Sequence, residues 1–286
     1  MEEQSISRHA AEVASGERFR FGDNWSRFLK VVDDDRIAEA MASLRKMLEL
    51  EDLKGKTFLD AGSGSGLFSL AARSLGASVH SIDYDPQSVA CTRELRRRYF
   101  QSDPLWRVDQ GSVLDKDFIR ELGRFDIVYS WGVLHHTGAM WQALDNVAQN
   151  VAPGGRLFVS LYNDQGTRSV LWRQVKKAYC SGTFGKVSVL ALFVPYFAFG
   201  GLIVDLARGN NPVFRYSRYK QSRGMSRVHD WVDWLGGYPF EVAKPEAVMD
   251  FCQARGFHIQ RLTTRGGGHG CNEFVFASPS AEGKRH

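Results

Sequence analysis

The chain has 286 residues, 43% hydrophobic and 24% charged, enough to bury one large core, or one core with an elaborate insertion. A net charge of +5 is mildly basic, not the dense basic stripe of a dedicated nucleic-acid binder. Four scattered cysteines (Cys91, Cys180, Cys252, Cys271) form no C-x-x-C pair, which argues against a disulfide framework or structural zinc; no metal site is expected.

The first twenty residues are polar and charged, not the pattern of a signal peptide, so a cytoplasmic location is expected, with residues 1–16 poorly ordered. Apolar residues at helical spacing predict an amphipathic helix over 35–50. Strands are predicted at 56–60, 78–83, 106–113, 125–130 and 156–162. Helices at about 65–75, 86–99 and 140–151 alternate with them, the last stopped by Pro153-Gly-Gly155. Strand–helix alternation at this spacing indicates a doubly wound, Rossmann-like α/β fold with a mainly parallel sheet. At the end come a helix over 245–256 and strands at 257–264 and 271–277. Only the Gly-rich loop Gly266–Gly270 joins these strands, so they should pair antiparallel and complete a seven-stranded sheet. The predicted units are a cap segment and helix (1–55), the Rossmann-like core (56–162), a mostly helical insertion after the fifth strand (163–243) and the closing helix with its strand pair (244–280).

The first strand ends in Asp60 and runs into Gly62-Ser63-Gly64-Ser65-Gly66 before a helix. Glycines let the backbone turn tightly and let a ligand approach closely. A dinucleotide site wants a third small residue, where this chain has Leu67. It also has a carboxylate, Asp60, which repels a pyrophosphate but attracts an ammonium and a sulfonium. A unit charge pair at about 4 Å under surface-like screening is worth about 4 kcal/mol. The sign favours S-adenosyl-L-methionine over a nicotinamide dinucleotide. Asp83, followed by Tyr84, ends the second strand some twenty residues on, where an acid can bond ribose hydroxyls. Ser112, Val113 and Asp115 follow the third strand toward the adenine edge, and Ser130 and Trp131 follow the fourth toward the sulfonium.

Taken together, Phe58–Gly66, the Asp83 strand end, Phe125–His136 and Pro153-Gly-Gly155 resemble the motifs of class I S-adenosylmethionine-dependent methyltransferases, most similarly the ubiquinone-biosynthesis O-methyltransferase-like branch. The resemblance covers about 56–162 well and 245–278 moderately. It implies the cofactor at Asp60, Gly62, Gly64, Asp83 and the backbone near Ser130. The stretch 163–243 departs from that branch.

Methyl transfer is an in-line displacement, so positioning supplies much of the rate, and an acidic hydroxyl or an amine must also lose a proton. His136 and His135, after the fourth strand, are the candidates for that base. Tyr162 and Asn163 leave the fifth strand toward the same place. His229, Trp231 and Trp234 lie in an aromatic stretch that fits a ligand wall or a packed lid. Phe19–Trp25 is a candidate cap over the cofactor. Ser130-Trp-Gly-Val replaces the Asn/Asp-Pro-Pro-Tyr/Phe motif of many exocyclic-amine methyltransferases, which argues against nucleic acid as acceptor. A small-molecule or lipid-linked acceptor methylated at oxygen is expected, with an RNA or protein methyltransferase as the alternative and a SAM-binding protein without transferase activity as a third reading.

The apolar run Val187–Val204 reads as a substrate lid or as a helix on a membrane surface; Pro195, Gly200 and Gly201 argue against a span. Arg208, Arg215, Arg218, Lys220, Arg223 and Arg227 follow it, so 187–227 could touch an anionic membrane.

Overall fold

Seven strands form one sheet in the order β3-β2-β1-β4-β5-β7-β6, seen in a computed structural model that describes residues 2–207, 234–266 and 270–280. The parallel part comprises β1 (Thr57–Ala61), β2 (Ser78–Asp83), β3 (Trp106–Gln110), β4 (Phe125–Trp131) and β5 (Val151–Tyr162). Next, β7 (Cys271–Ala277) runs antiparallel against both β5 and β6 (His258–Thr263). Order reverses between β1 and β4, so ligands are expected at the carboxyl ends of those strands.

Helices cover both faces. On one side α3 (Asp34–Leu48), α4 (Leu67–Ser74) and α5 (Pro86–Tyr99) pack with Phe58, Tyr129 and Phe158. On the other, α6 (Lys116–Glu121), α7 (Met140–Ala148) and α10 (Pro245–Gln253) pack with Leu59, Val128 and Phe274. Alternate residues of β1 thus serve opposite layers, as the period-two geometry of a strand dictates. Each fully buried Phe or Leu here contributes about 2–3 kcal/mol. Several helix starts are written locally: Asp85 caps α5, accepting from the Gln87 N–H at 2.8 Å, with Pro86 in the first turn.

Two boundaries differ from the expectation. Residues 1–16 are not loose: α1 (Glu2–Ala14) forms, and its buried His9 stacks edge-on with Tyr84 at 5.2 Å. Glu12 pairs with Arg18 at 2.7 Å, which ties the helix to the chain that follows. The strand β5 begins at Val151, which pairs with Phe125; Pro153-Gly-Gly155 bulge out before Arg156 pairs with Ile127, and the preceding helix ends at Ala148. A short helix, α2 (Gly22–Phe28), lies between α1 and α3. After β5 come α8 (Thr167–Cys180) and α9 (Thr183–Ala207), packed together through Trp172, Val175, Tyr179, Val189, Phe193 and Phe197.

Candidate functional site

The β1–α4 loop shows why its glycines are required. Gly62, Gly64 and Gly66 all have positive φ (96°, 54° and 83°). A Cβ on Gly62 would stand 2.4 Å from Val133 Cγ1, and one on Gly64 would stand 3.1 Å from the Trp25 ring. The Gly62 and Ser63 N–H groups donate to Ile82 O, and Ser63 Oγ meets Thr92 Oγ1 at 2.9 Å, so β2 and α5 hold the loop.

Asp83 lies at the β2 end. Its carboxylate accepts from the Gly64 N–H at 2.8 Å and the Asp85 N–H at 2.9 Å. Asp60 is fully buried and accepts from Ser69 Oγ at 2.5 Å; Ser69 in turn meets Ser81, which accepts from the Trp106 indole. Burial, helped for Asp60 by the nearby Asp83 charge and for Asp83 by Asp85, raises both carboxyls to about 7. Asp60 therefore anchors α4 under the loop.

The segment before α3 roofs this loop. Trp25 lies on Gly64, the Gly22 N–H donates to Asp85 Oδ2 at 2.8 Å, and Phe21 packs on His136 at 4.9 Å. Tyr84 faces the same segment, donating to Glu12 at 3.3 Å with the Arg18 guanidinium over its ring.

Beyond β4, the 3-10 turn Leu134–His136 brings both histidines into the interior. Tyr162 stacks on His135 at 4.0 Å and meets Trp234 and Phe240 at 5.6 and 5.1 Å. His136 Nδ1 lies 2.7 Å from Pro239 O; a carbonyl only accepts, so this nitrogen carries the proton and Nε2 is the basic atom. The Tyr162 N–H donates to His135 Nδ1 at 3.3 Å, leaving a buried Nε2–H with no hydrogen-bond partner among the described residues. Lys176 of α8 is completely buried, with its ammonium 4.3 Å from the Trp234 ring centre and donating to Trp234 O. Burial first, then the Lys176 charge, depresses His136 to about 3; His135 is also held well below the imidazole range.

Other expected site residues are engaged elsewhere. Ser112 Oγ accepts from the Leu114 N–H at 3.2 Å, buried Val113 accepts from Asn146 through its carbonyl at 2.9 Å, and Asp115 caps α6. Ser130 donates to Ala61 O at 2.7 Å, and the Trp131 indole donates to Glu273 at 2.8 Å. Asn163 donates to Gly266 O and accepts from Asn272, which fastens the last hairpin to β5. His229 and Trp231 lie outside the described residues, as do Arg208–Arg227. Lys176 carried no warning in the sequence, since a lysine within a helix is ordinarily solvated. Asp85 caps α5 and also receives the roof through the Gly22 N–H. A cavity of about 210 Å³ lined by His80, Arg107, Asp109 and Phe118 shares no residue with the glycine loop or the histidine cluster.

Residues 59–157 match a family described as a methyltransferase domain. This segment therefore carries the sequence signature of a methyltransferase domain. The chain is 32% identical to a ribosomal protein L11 methyltransferase of Methylococcus capsulatus over 40% of its own length and 36% of that protein. It is 36% identical to a tRNA U34 carboxymethyltransferase of the same organism over 37% and 32%. It is 32% identical to a ubiquinone biosynthesis O-methyltransferase of Pseudomonas paraeruginosa over 40% and 48%. The chain thus spans about a third to a half of these relatives. Its fold also matches an O-methyltransferase family protein from Burkholderia thailandensis, with a TM-score of 0.52 and 11% identity over 87% of this chain and 58% of that one.

Proposed function

We propose that the protein transfers a methyl group from S-adenosyl-L-methionine to a small or lipid-like acceptor at oxygen. The observation that carries this is the meeting, at the carboxyl ends of β1, β2, β4 and β5, of a glycine loop bonded to Asp83 of β2 with the buried His135–His136–Tyr162 cluster. The glycine loop, which no Cβ could line at Gly62, and the carboxylates Asp60 and Asp83 fit a ligand with a ribose and two cationic centres. Bound there, the cofactor supplies an electrophilic methyl group on a sulfonium.

The residues of this chain supply the rest. Aromatic side chains at Phe21, Tyr162, Trp234 and Phe240 exclude water around His136 and favour an apolar acceptor. A His136 that resists protonation down to about pH 3 is a weak base, so it suits an acceptor whose oxygen is acidic, such as a phenol or carboxylic acid. The Lys176 ammonium favours such an oxygen in its ionised form. Peripheral contact with an anionic membrane through 187–227, from the cytoplasmic side, belongs to the same reading; among the described residues no helix is long and apolar enough to cross a membrane.

Transfer of a labelled methyl group to a panel of phenols, carboxylic acids and lipid-linked acceptors tests this; labelling confined to protein or RNA would contradict it. The relatives named for ribosomal protein and tRNA, with the basic residues at 208–227, support that second reading.

A further inference from the structure

The α9 helix is apolar on both sides, and among the described residues only one side is covered. Val189, Leu190, Phe193 and Phe197 face α8, where they meet Trp172, Val175 and Tyr179. On the other side Phe184, Val187, Leu192, Tyr196 and Phe199 are 86%, 58%, 66%, 64% and 65% exposed. Ser188, Ala191 and Pro195 fill the same exposed stripe at three- and four-residue steps. No charged residue interrupts it over about 22 Å of helix. Single exposed apolar residues are ordinary, but a continuous stripe of large ones marks a surface that something covers.

Charge identifies the occupant. Residues 165–229 contain eleven Lys and Arg but only one acid, Asp205. This stretch therefore carries +10, while the remainder of the chain carries −5 to make the total of +5. Lys177 and Lys186 of this stretch are exposed near the start of the stripe. A second copy of the chain carries the same +10 stretch, so the two stretches would repel. A nucleic acid would satisfy the charge but leave the stripe unused. An anionic bilayer satisfies both, taking the apolar side chains into its headgroup region and the cations onto its surface.

We propose that the outer face of α9 docks the protein on an anionic lipid surface, with the cofactor domain left in water. This contact rests on the membrane reading proposed above, but its test is separable from methyl transfer because docking needs no cofactor.

The test is flotation of the full chain with phosphatidylcholine vesicles, with and without phosphatidylglycerol. Wild type should float only with phosphatidylglycerol and should be released at about 1 M salt, where charges are screened within about 3 Å. The double variant Leu192→Glu/Phe199→Glu should lower the bound fraction at least about fivefold, with unchanged thermal unfolding because both side chains are exposed. Leu105→Glu, an exposed apolar site on another part of the molecule, should bind as wild type does. Four outcomes would overturn the proposal: folded wild type that ignores phosphatidylglycerol, equal flotation of wild type and double variant, a wild-type dimer that the double variant dissolves, or single-stranded RNA stripping the protein from vesicles without dependence on the stripe.

Discussion

The Trp25 ring lies against Gly64, so close that a Cβ on the glycine would sit 3.1 Å from the indole. The roof and the cofactor loop are therefore one packed unit. Trp25→Ala should weaken S-adenosylmethionine binding at least about tenfold, equivalent to about 1.4 kcal/mol, in calorimetric titration. Gly55→Ala, also at positive φ but with nothing within 4 Å of its added Cβ, should leave binding unchanged.

Binding should release protons. Asp60 and Asp83, both raised to about 7 by burial and neighbouring carboxylates, are partly protonated near neutrality. A ligand bearing sulfonium and ammonium charges favours their ionised forms, so affinity should rise with pH from about 6 to about 8 and then level off. Titrations at pH 7 in buffers of different ionisation enthalpy measure the proton count. Proton uptake, or an affinity that falls as pH rises, would contradict the carboxylate assignment.

His136→Ala should leave cofactor binding intact but lower turnover at least about tenfold. Because His136 is neutral down to about pH 3, the wild-type rate profile should show no step for it between about pH 5 and 9. Lys176→Met keeps the apolar stem but removes the cation that helps depress His136, so the imidazole resonances should titrate at a higher pH than in wild type.

The low imidazole values also bear on stability. Unfolding returns His136 to its ordinary range, so the unfolded state binds more protons between about pH 6.5 and 3, and this contribution is lost as pH falls through that window. His136→Gln should show a flatter fall in Tm than wild type on acidification from about pH 6.5. Parallel Tm curves would contradict the burial assigned to the ring.

The parallel core was legible because its signals are local. The period-two strand at 78–83, the helix over 86–99 and the glycine loop each follow from neighbouring residues. What escaped depends on particular side-chain pairings, several of them distant in sequence. The α1 helix is held by His9 against Tyr84 and by Glu12 on Arg18. Val151 joins the sheet because Phe125 lies beside it. Asp60 turns to Ser69, and Trp131 turns to Glu273, 142 residues away. Lys176 escaped for the same reason, since the Trp234 carbonyl and the Trp234 and Phe240 rings that receive its ammonium lie far along the chain.

The central claim is a methyl-donor site built by Gly62, Gly64 and Asp83. Calorimetric titration of S-adenosylmethionine into the wild type, Gly62→Val and Asp83→Asn tests it most directly. One saturable site in the wild type, with at least about tenfold weaker binding in both folded variants, is predicted. No binding to folded wild type, or equal affinity in all three proteins, would contradict it.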